Sequence, residues 1–179
     1  RLFFWGFFAI VLIVYSVLYK KNHFRNAWLF FVSLFFYYKS GGYFFSLLIF
    51  STIVDFTLGQ LIYSAKTDLK KKIFVACSVI INLSLLGYFK YTYFFTDIFN
   101  SLFHTNFTVI NYLASWTNNI SGSSFDISRI VLPVGISFYT FQTISYTVDV
   151  YRKKLKPVKS IIDFGFYVSF FPQLVAGPI

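Results

Sequence analysis

The chain has 179 residues, of which 57% are hydrophobic and only 12% charged, with 27 Phe, 14 Tyr and a mean hydropathy of +0.66. These values exclude a disordered chain, which is poor in aromatic and apolar residues, and exceed what a soluble core of this size can bury. The net charge of +10 is in the range of nucleic-acid binders, but its positive residues fall in short runs between apolar stretches, the pattern of orientation signals in a membrane protein.

A helix needs about 20 apolar residues to cross the hydrocarbon core. Leu2–Tyr19 supplies eighteen without a charge. It is longer than a signal-peptide core and no small-residue cleavage site follows, so it reads as a span. Asn26–Tyr38 is apolar but short, and Lys39-Ser40-Gly41-Gly42 separates it from Tyr43–Ala65. The two predict a tight hairpin, or a short tilted helix followed by a full one. Ile73–Phe89 is the next span, prolonged past Lys90 through the aromatic Tyr91–Phe95. Ser101–Ser128 differs in kind: it holds two Asn-X-Ser/Thr triplets and the Ser121–Ser124 turn cluster, and predicts a long loop with room for a short interfacial helix. Ile130–Val150 is a further span. Ile161–Ile179 is apolar but carries Pro172, Gly177 and Pro178, which predict a bend or break within the membrane. The fold class is thus an all-α, polytopic membrane bundle with broken or re-entrant segments, and residues 1–179 are one part of a single domain. The chain starts at Arg1 without Met and stops at Ile179 inside an apolar run. It is therefore expected to be the N-terminal piece of a longer protein.

The charges orient the spans. Lys20, Lys21 and Arg25 form one cluster, Lys66 and Lys70–Lys72 a second, and Arg152, Lys153, Lys154, Lys156 and Lys159 a third; Ser101–Ser128 has no Lys or Arg. The positive-inside rule places loops 20–25, 66–72 and 152–159 in the cytoplasm and 101–128 outside. The number of crossings between clusters agrees with that assignment.

Asp55, Asn82, Lys90 and Asp149 lie at membrane depth, where ionisable groups face a bundle interior or a wet cavity. Each has a plainer reading beside a functional one. Lys90 can snorkel to an interface, Asp149 can pair with Arg152 three residues on, and Asp55 can hydrogen-bond a neighbouring helix. Cys77, alone of its kind, reads as a small buried hydrophobe. His23 and His104 have no zinc-type spacing and no Ser or Cys partner. No phosphate loop or dinucleotide fingerprint is present. The residues alone give a bundle with a polar interior and no reaction.

Two stretches add one. Leu132–Arg152 reads LPVGISFYTFQTISYTVDVYR and Phe170–Ile179 reads FFPQLVAGPI. Both resemble segments of the membrane-bound O-acyltransferase family, in the branch of alginate and peptidoglycan O-acetyltransferases. Ile53–Gly59 (IVDFTLG) and Asn82–Tyr91 (NLSLLGYFKY) are weaker matches in the same order. The resemblance implies a tunnelled, multi-span helical enzyme in the bacterial inner membrane. Its donor would be acetyl-CoA or another acyl-CoA on the cytoplasmic side, and its acceptor a hydroxyl of an envelope polysaccharide or peptidoglycan. An extracytoplasmic acyltransferase or polysaccharide-synthesis protein would assist it; no bound cofactor, metal or nucleic acid is expected. The family's catalytic histidine is expected beyond Ile179, so neither His23 nor His104 inherits that role and this piece alone is expected to be inactive.

On a helix from Ser137 to Val150, Phe138, Phe141, Gln142, Ser145 and Asp149 fall on related faces. Gln142 and Asp149 of that stripe, with Ser137, Tyr139, Pro172 and Gln173, are the tunnel-lining candidates: Gln142 as a hydrogen-bond partner of a thioester or acceptor, and Gln173 as the amide of the broken last segment. The alternative is that these groups hold helices together. The Arg152–Lys159 cluster is placed to attract the phosphates of a CoA, although orientation alone accounts for it. A transporter or flippase using Asp55 and Asp149 as coupling groups, or a non-catalytic remnant of the acyltransferase fold, are the competing functions.

Overall fold

The computed structural model describes residues 2–41, 44–122, 124, 126–128, 130, 132–133, 135–170 and 172. These residues form seven helices and no strand: α1 (Leu2–Val17), α2 (Asn22–Gly41), α3 (Phe45–Ser64), α4 (Asp68–Phe103), α5 (Tyr112–Ser121), α6 (Ile136–Tyr151) and α7 (Ile161–Ser169). Two of them, α3 and α4, are long and apolar enough to cross a bilayer, and Phe4–Val17 of α1 is a shorter apolar helix. Large apolar side chains cover their outward faces: Trp5 and Ile13 on α1, Phe50 and Ile53 on α3, and Ile80 and Leu83 on α4 are all exposed. Lipid solvates such a surface at little cost and water does not.

The breaks follow the chemistry of the sequence. The chain turns between α1 and α2 at the first basic cluster, where Lys21 N donates to Leu18 O and Arg25 N to Lys21 O, each at 2.9 Å. Helix α2 continues through Lys39 to Gly41, later than the end of its apolar run. Asp68 stands in the first turn of α4, where a carboxylate opposes the positive end of the helix dipole. The 36 residues of α4 span about 54 Å, far more than the ~30 Å hydrocarbon core. The helix therefore runs on from the apolar run starting at Ile73, through Thr96–Phe103, into the interhelical loop. It ends at His104, which adopts the left-handed conformation (φ 50°).

That loop is built rather than slack. Asn100 brackets Phe107, accepting its N–H and donating to its carbonyl, both at 2.9 Å. Asn111 caps α5 by accepting from Ala114 N at 3.0 Å, and Ile130 N donates to Tyr93 Oη at 2.8 Å. Gly135 then takes φ +73° at the start of α6, a conformation that a Cβ would oppose. Ile136 N donates back to Pro133 O.

Helices α3, α4 and α6 pack together as a triad, and α7 lies against α2 and α3. Two glycines permit these approaches. A Cβ on Gly59 would stand 2.8 Å from Tyr146 Cε1, and one on Gly165 would stand 2.6 Å from Phe30 Cε2. Between membrane helices, where lipid removes the hydrophobic drive for association, close packing of a side chain over a small residue is a main source of affinity. Phe164 fills the junction, fully buried, its ring tilted 41° against Tyr146 at 4.5 Å and against Phe56 at 6.1 Å between centroids.

Candidate functional site

Each helix of the triad contributes a polar pair spaced four residues apart. These are Ser51 and Asp55 on α3, Ser78 and Asn82 on α4, and Thr143 and Thr147 on α6; all six are buried. Such spacing puts both members of a pair on one face, one turn apart. The three pairs meet in a single layer. Ser78 Oγ donates to Asp55 Oδ1 at 2.6 Å, and Asn82 Nδ2 lies 3.0 and 2.8 Å from Oδ1 and Oδ2. Ser51 and Thr143 donate to Asn82 Oδ1 at 3.0 and 3.2 Å, and Thr147 Oγ1 is 3.1 Å from Ser78 Oγ. Every side chain in the layer has a partner, as buried polar groups require. Such a layer fixes the rotation and height of three helices against one another, and leaves no free group to bind a ligand.

Unsatisfied groups occur elsewhere. Gln142 on α6 donates from Nε2 to the Tyr167 carbonyl of α7 at 2.9 Å, while its Oε1 is buried with no hydrogen-bond partner among the described residues. Ser169, two residues beyond Tyr167, is fully buried, and its hydroxyl likewise has no partner. An acceptor and a hydroxyl therefore stand unpaired at the α6–α7 junction. Leaving a buried polar group unmade costs about 1–3 kcal/mol, so each of the two calls for a partner, as does Trp28 Nε1, the other buried atom without one among the described residues.

The basic loops converge at one end of the bundle. Lys71, which opens α4, and Lys153 and Lys156, which follow α6, line one depression of about 220 Å³ together with Tyr63 and Tyr151. Asn26, next to Arg25, donates to Asp163 Oδ1 at 2.8 Å, which brings the first basic turn beside the start of α7. Val158 is gripped on both sides: Gln60 Nε2 donates to its carbonyl at 2.7 Å and its N–H donates to Tyr146 Oη at 3.2 Å. The third cluster is thereby tied to α3 and α6.

The remaining candidates are placed as follows. Ser137 is half-buried in the first turn of α6, and Tyr139 is buried in the core beside Ile136. Asp149 is half-buried, and its carbonyl receives Lys154 N at 2.9 Å. Phe141 and Ser145 are exposed, so the buried polar face of α6 is the threonine face and not the stripe through Gln142, Ser145 and Asp149. Pro172 lines a groove with Phe166 and Phe170, and Gln173, Gly177 and Pro178 lie outside the described residues. Lys90 is exposed with its ammonium 5.4 Å from the Tyr91 ring. His23 and His104 are exposed, on the first turn of α2 and the cap of α4. Sequence reasoning passed over Ser51, Ser78, Thr143 and Thr147, although the repeated four-residue spacing on three apolar segments was a usable signal. Nothing in the sequence distinguished Ser169.

Comparison with known proteins gives relatives along the whole chain. A peptidoglycan O-acetyltransferase of Helicobacter pylori is 32% identical over 205 aligned residues, covering 99% of this chain and 36% of that protein. The probable alginate O-acetylase AlgI of Pseudomonas syringae pv. tomato is 31% identical over 180 residues, covering 100% of this chain and 32% of the relative. The protein of the same name from Pseudomonas aeruginosa is 41% identical over 101 residues, 56% of this chain and 17% of the relative. The chain thus spans about a third of the length of the curated relatives that it matches along its whole length. No protein-family profile matches the chain, and no solved structure does.

Proposed function

The chain is a relative of the alginate and peptidoglycan O-acetyltransferases, in the branch of the membrane-bound O-acyltransferases that its motifs resemble, and from that relationship we propose that the whole protein O-acetylates an envelope polysaccharide or peptidoglycan. The similarity over all of its length to proteins of that activity carries the reading. The donor is an acyl-CoA, taken to be acetyl-CoA, arriving from the cytoplasm. The acyl group passes through a multi-span bundle in the inner membrane to a hydroxyl on the far side. The acceptor oxygen attacks the thioester carbonyl, the C–S bond breaks as the C–O bond forms, and the acceptor proton leaves through a base to the departing thiolate. That base is assigned to a histidine outside these residues.

The segment's own contribution follows from its geometry. The polar layer around Asp55 holds α3, α4 and α6 in fixed register. The convergence of Lys71, Lys153 and Lys156 in one depression supports a cytoplasmic face that draws in the phosphates of the donor, and it agrees with loops 66–72 and 152–159 sharing a side. Gln142 Oε1 and Ser169 Oγ, buried and unpaired, suit the donor's pantetheine arm. An extracytoplasmic protein completes delivery to the polymer.

The test is transfer itself. Inverted membrane vesicles bearing the whole protein, given acetyl-CoA radiolabelled in the acetyl group, should accumulate ester-linked label inside in the presence of the polymer. Label that stays in the donor, with the protein demonstrably inserted, would remove the reading.

A further inference from the structure

Helices α1, α2 and α7 enclose a groove of about 470 Å³ on the side of the bundle away from the polar layer. Its walls are apolar, formed by Phe8, Leu12, Leu29 and Phe166. Its rim is not: Tyr15, Arg25 and Asn26 close one end. Arg25 is half-buried there, its guanidinium 5.9 Å from the Tyr15 ring. Among the described residues no carboxylate pairs with it; the nearest acid by contact, Asp163, is held by Asn26 Nδ2 on its Oδ1 at 2.8 Å and makes no ion pair with Arg25. Lys20 and Lys21 stand exposed in the adjoining turn. A slot of this size is ample for part of a small ligand, and its polarity is strictly divided, with a cation cluster at one end and hydrocarbon along the rest.

The geometry points to an anionic phospholipid as the occupant, with one acyl chain between α1, α2 and α7 and its phosphate on Arg25. The charge pattern selects this occupant. A neutral acyl chain alone leaves a half-buried guanidinium without an anion, and burying a charge unpaired is costly. A soluble phosphate leaves the apolar walls empty. Basic pockets between helices on the cytoplasmic side are where anionic head groups bind, and the rim belongs to the first basic cluster, which the charge distribution puts on that side. The site is separate from the lysine depression at the ends of α3 and α6, which holds Lys71, Lys153 and Lys156. The proposal rests on the membrane setting of these helices and not on acyl transfer.

The experiment uses the whole protein in vesicles of phosphatidylcholine and phosphatidylglycerol, with a trace of either lipid carrying a photoactivatable acyl chain. Peptides of α1 and α2 containing Leu12 and Leu29 should take up the phosphatidylglycerol probe in preference to the phosphatidylcholine probe. Arg25→Gln should reduce that labelling about fivefold, the effect of one basic side chain at a membrane surface, and Arg25→Lys should restore most of it. Leu12→Trp, which fills the groove from an exposed position, should reduce labelling by both probes. Equal labelling by the two lipids would make the contact ordinary bilayer lipid and overturn the proposal. Competition by acetyl-CoA would reassign the groove to the donor, and absence of labelling would mean that another part of the protein covers it; either result also overturns it.

Discussion

Asn82 Nδ2 lies 3.0 and 2.8 Å from the two carboxylate oxygens of Asp55, so a single amide on α4 closes on both acceptor atoms of the acid on α3. The same amide's oxygen receives Ser51 and Thr143. Asn82, like Ser78 one turn before it, thus links α4 to both other helices of the layer. Asn82→Ala should destabilise the protein by ~1–3 kcal/mol, because it strands a buried acceptor. Asp55→Ala combined with Asn82→Ala should cost clearly less than the sum of the two, since each removes the other's partner. Unfolding midpoints in mixed micelles measure both quantities. Strict additivity would mean that the two residues act independently.

The layer also shows what the sequence could and could not reveal. The helical class and the order of apolar segments are written in hydropathy, because a membrane helix must satisfy its own backbone and expose apolar side chains. The basic runs likewise forecast which loops share an end, and Lys71 meets Lys153 and Lys156 there. Helix ends were less visible. Helix α4 continues to Phe103 because nothing between Tyr91 and Leu102 opposes a helix, although the apolar signal weakens first. Gln142 stood out as an amide in an apolar run, but its partner is a main-chain carbonyl on α7, and no side-chain pattern encodes that. Asp55 could be read as polar at depth, whereas its company depends on how three helices rotate, which packing decides.

At the α6–α7 junction, stability and activity should separate. Ser169→Ala removes a buried hydroxyl that has no partner, so membrane abundance and unfolding midpoint should hold or rise slightly. Acetyl transfer should fall about tenfold, the equivalent of one lost hydrogen bond of ~1.4 kcal/mol in the transition state. Gln142→Ala and Gln173→Ala should also lower transfer more than abundance. A matched fall in both quantities would make these residues structural.

Gly165 faces Phe30 at a distance that no Cβ tolerates. Gly165→Ala should therefore separate α7 from α2 at a cost of ~1–3 kcal/mol, the usual range for overpacking. Phe30→Leu in the same chain should recover part of that loss by withdrawing the ring. Thermal unfolding of the single and double variants decides it, and a double variant no better than Gly165→Ala would mean that the clash is relieved some other way.

Gly59 and Tyr146 make the corresponding contact between α3 and α6, and Tyr146 also holds Val158. Gly59→Ala should push the ring away and release residues 152–160. Trypsin added to inverted vesicles should then cut at Lys153–Lys159 several times faster than in the parent protein. Unchanged cleavage would show that Gln60 Nε2 on the Val158 carbonyl is a sufficient tether.

Orientation can be read with cysteines. Ser124 and Thr67 are both exposed, in the α5–α6 connection and in the α3–α4 turn. With Cys77 changed to Ser, Ser124→Cys should react with a membrane-impermeant thiol reagent on intact spheroplasts, and Thr67→Cys only after permeabilisation. The reverse pattern would invert the arrangement.

The central claim is that the protein puts acetyl esters on an envelope polymer, and ester-linked acetyl released from that polymer by mild base measures it most directly. Deleting the whole gene should remove those esters, the parent gene should restore them, and Ser169→Ala should restore them poorly despite normal abundance. Ester content unchanged by deletion, in a cell with no second acetyltransferase for that polymer, would contradict the account.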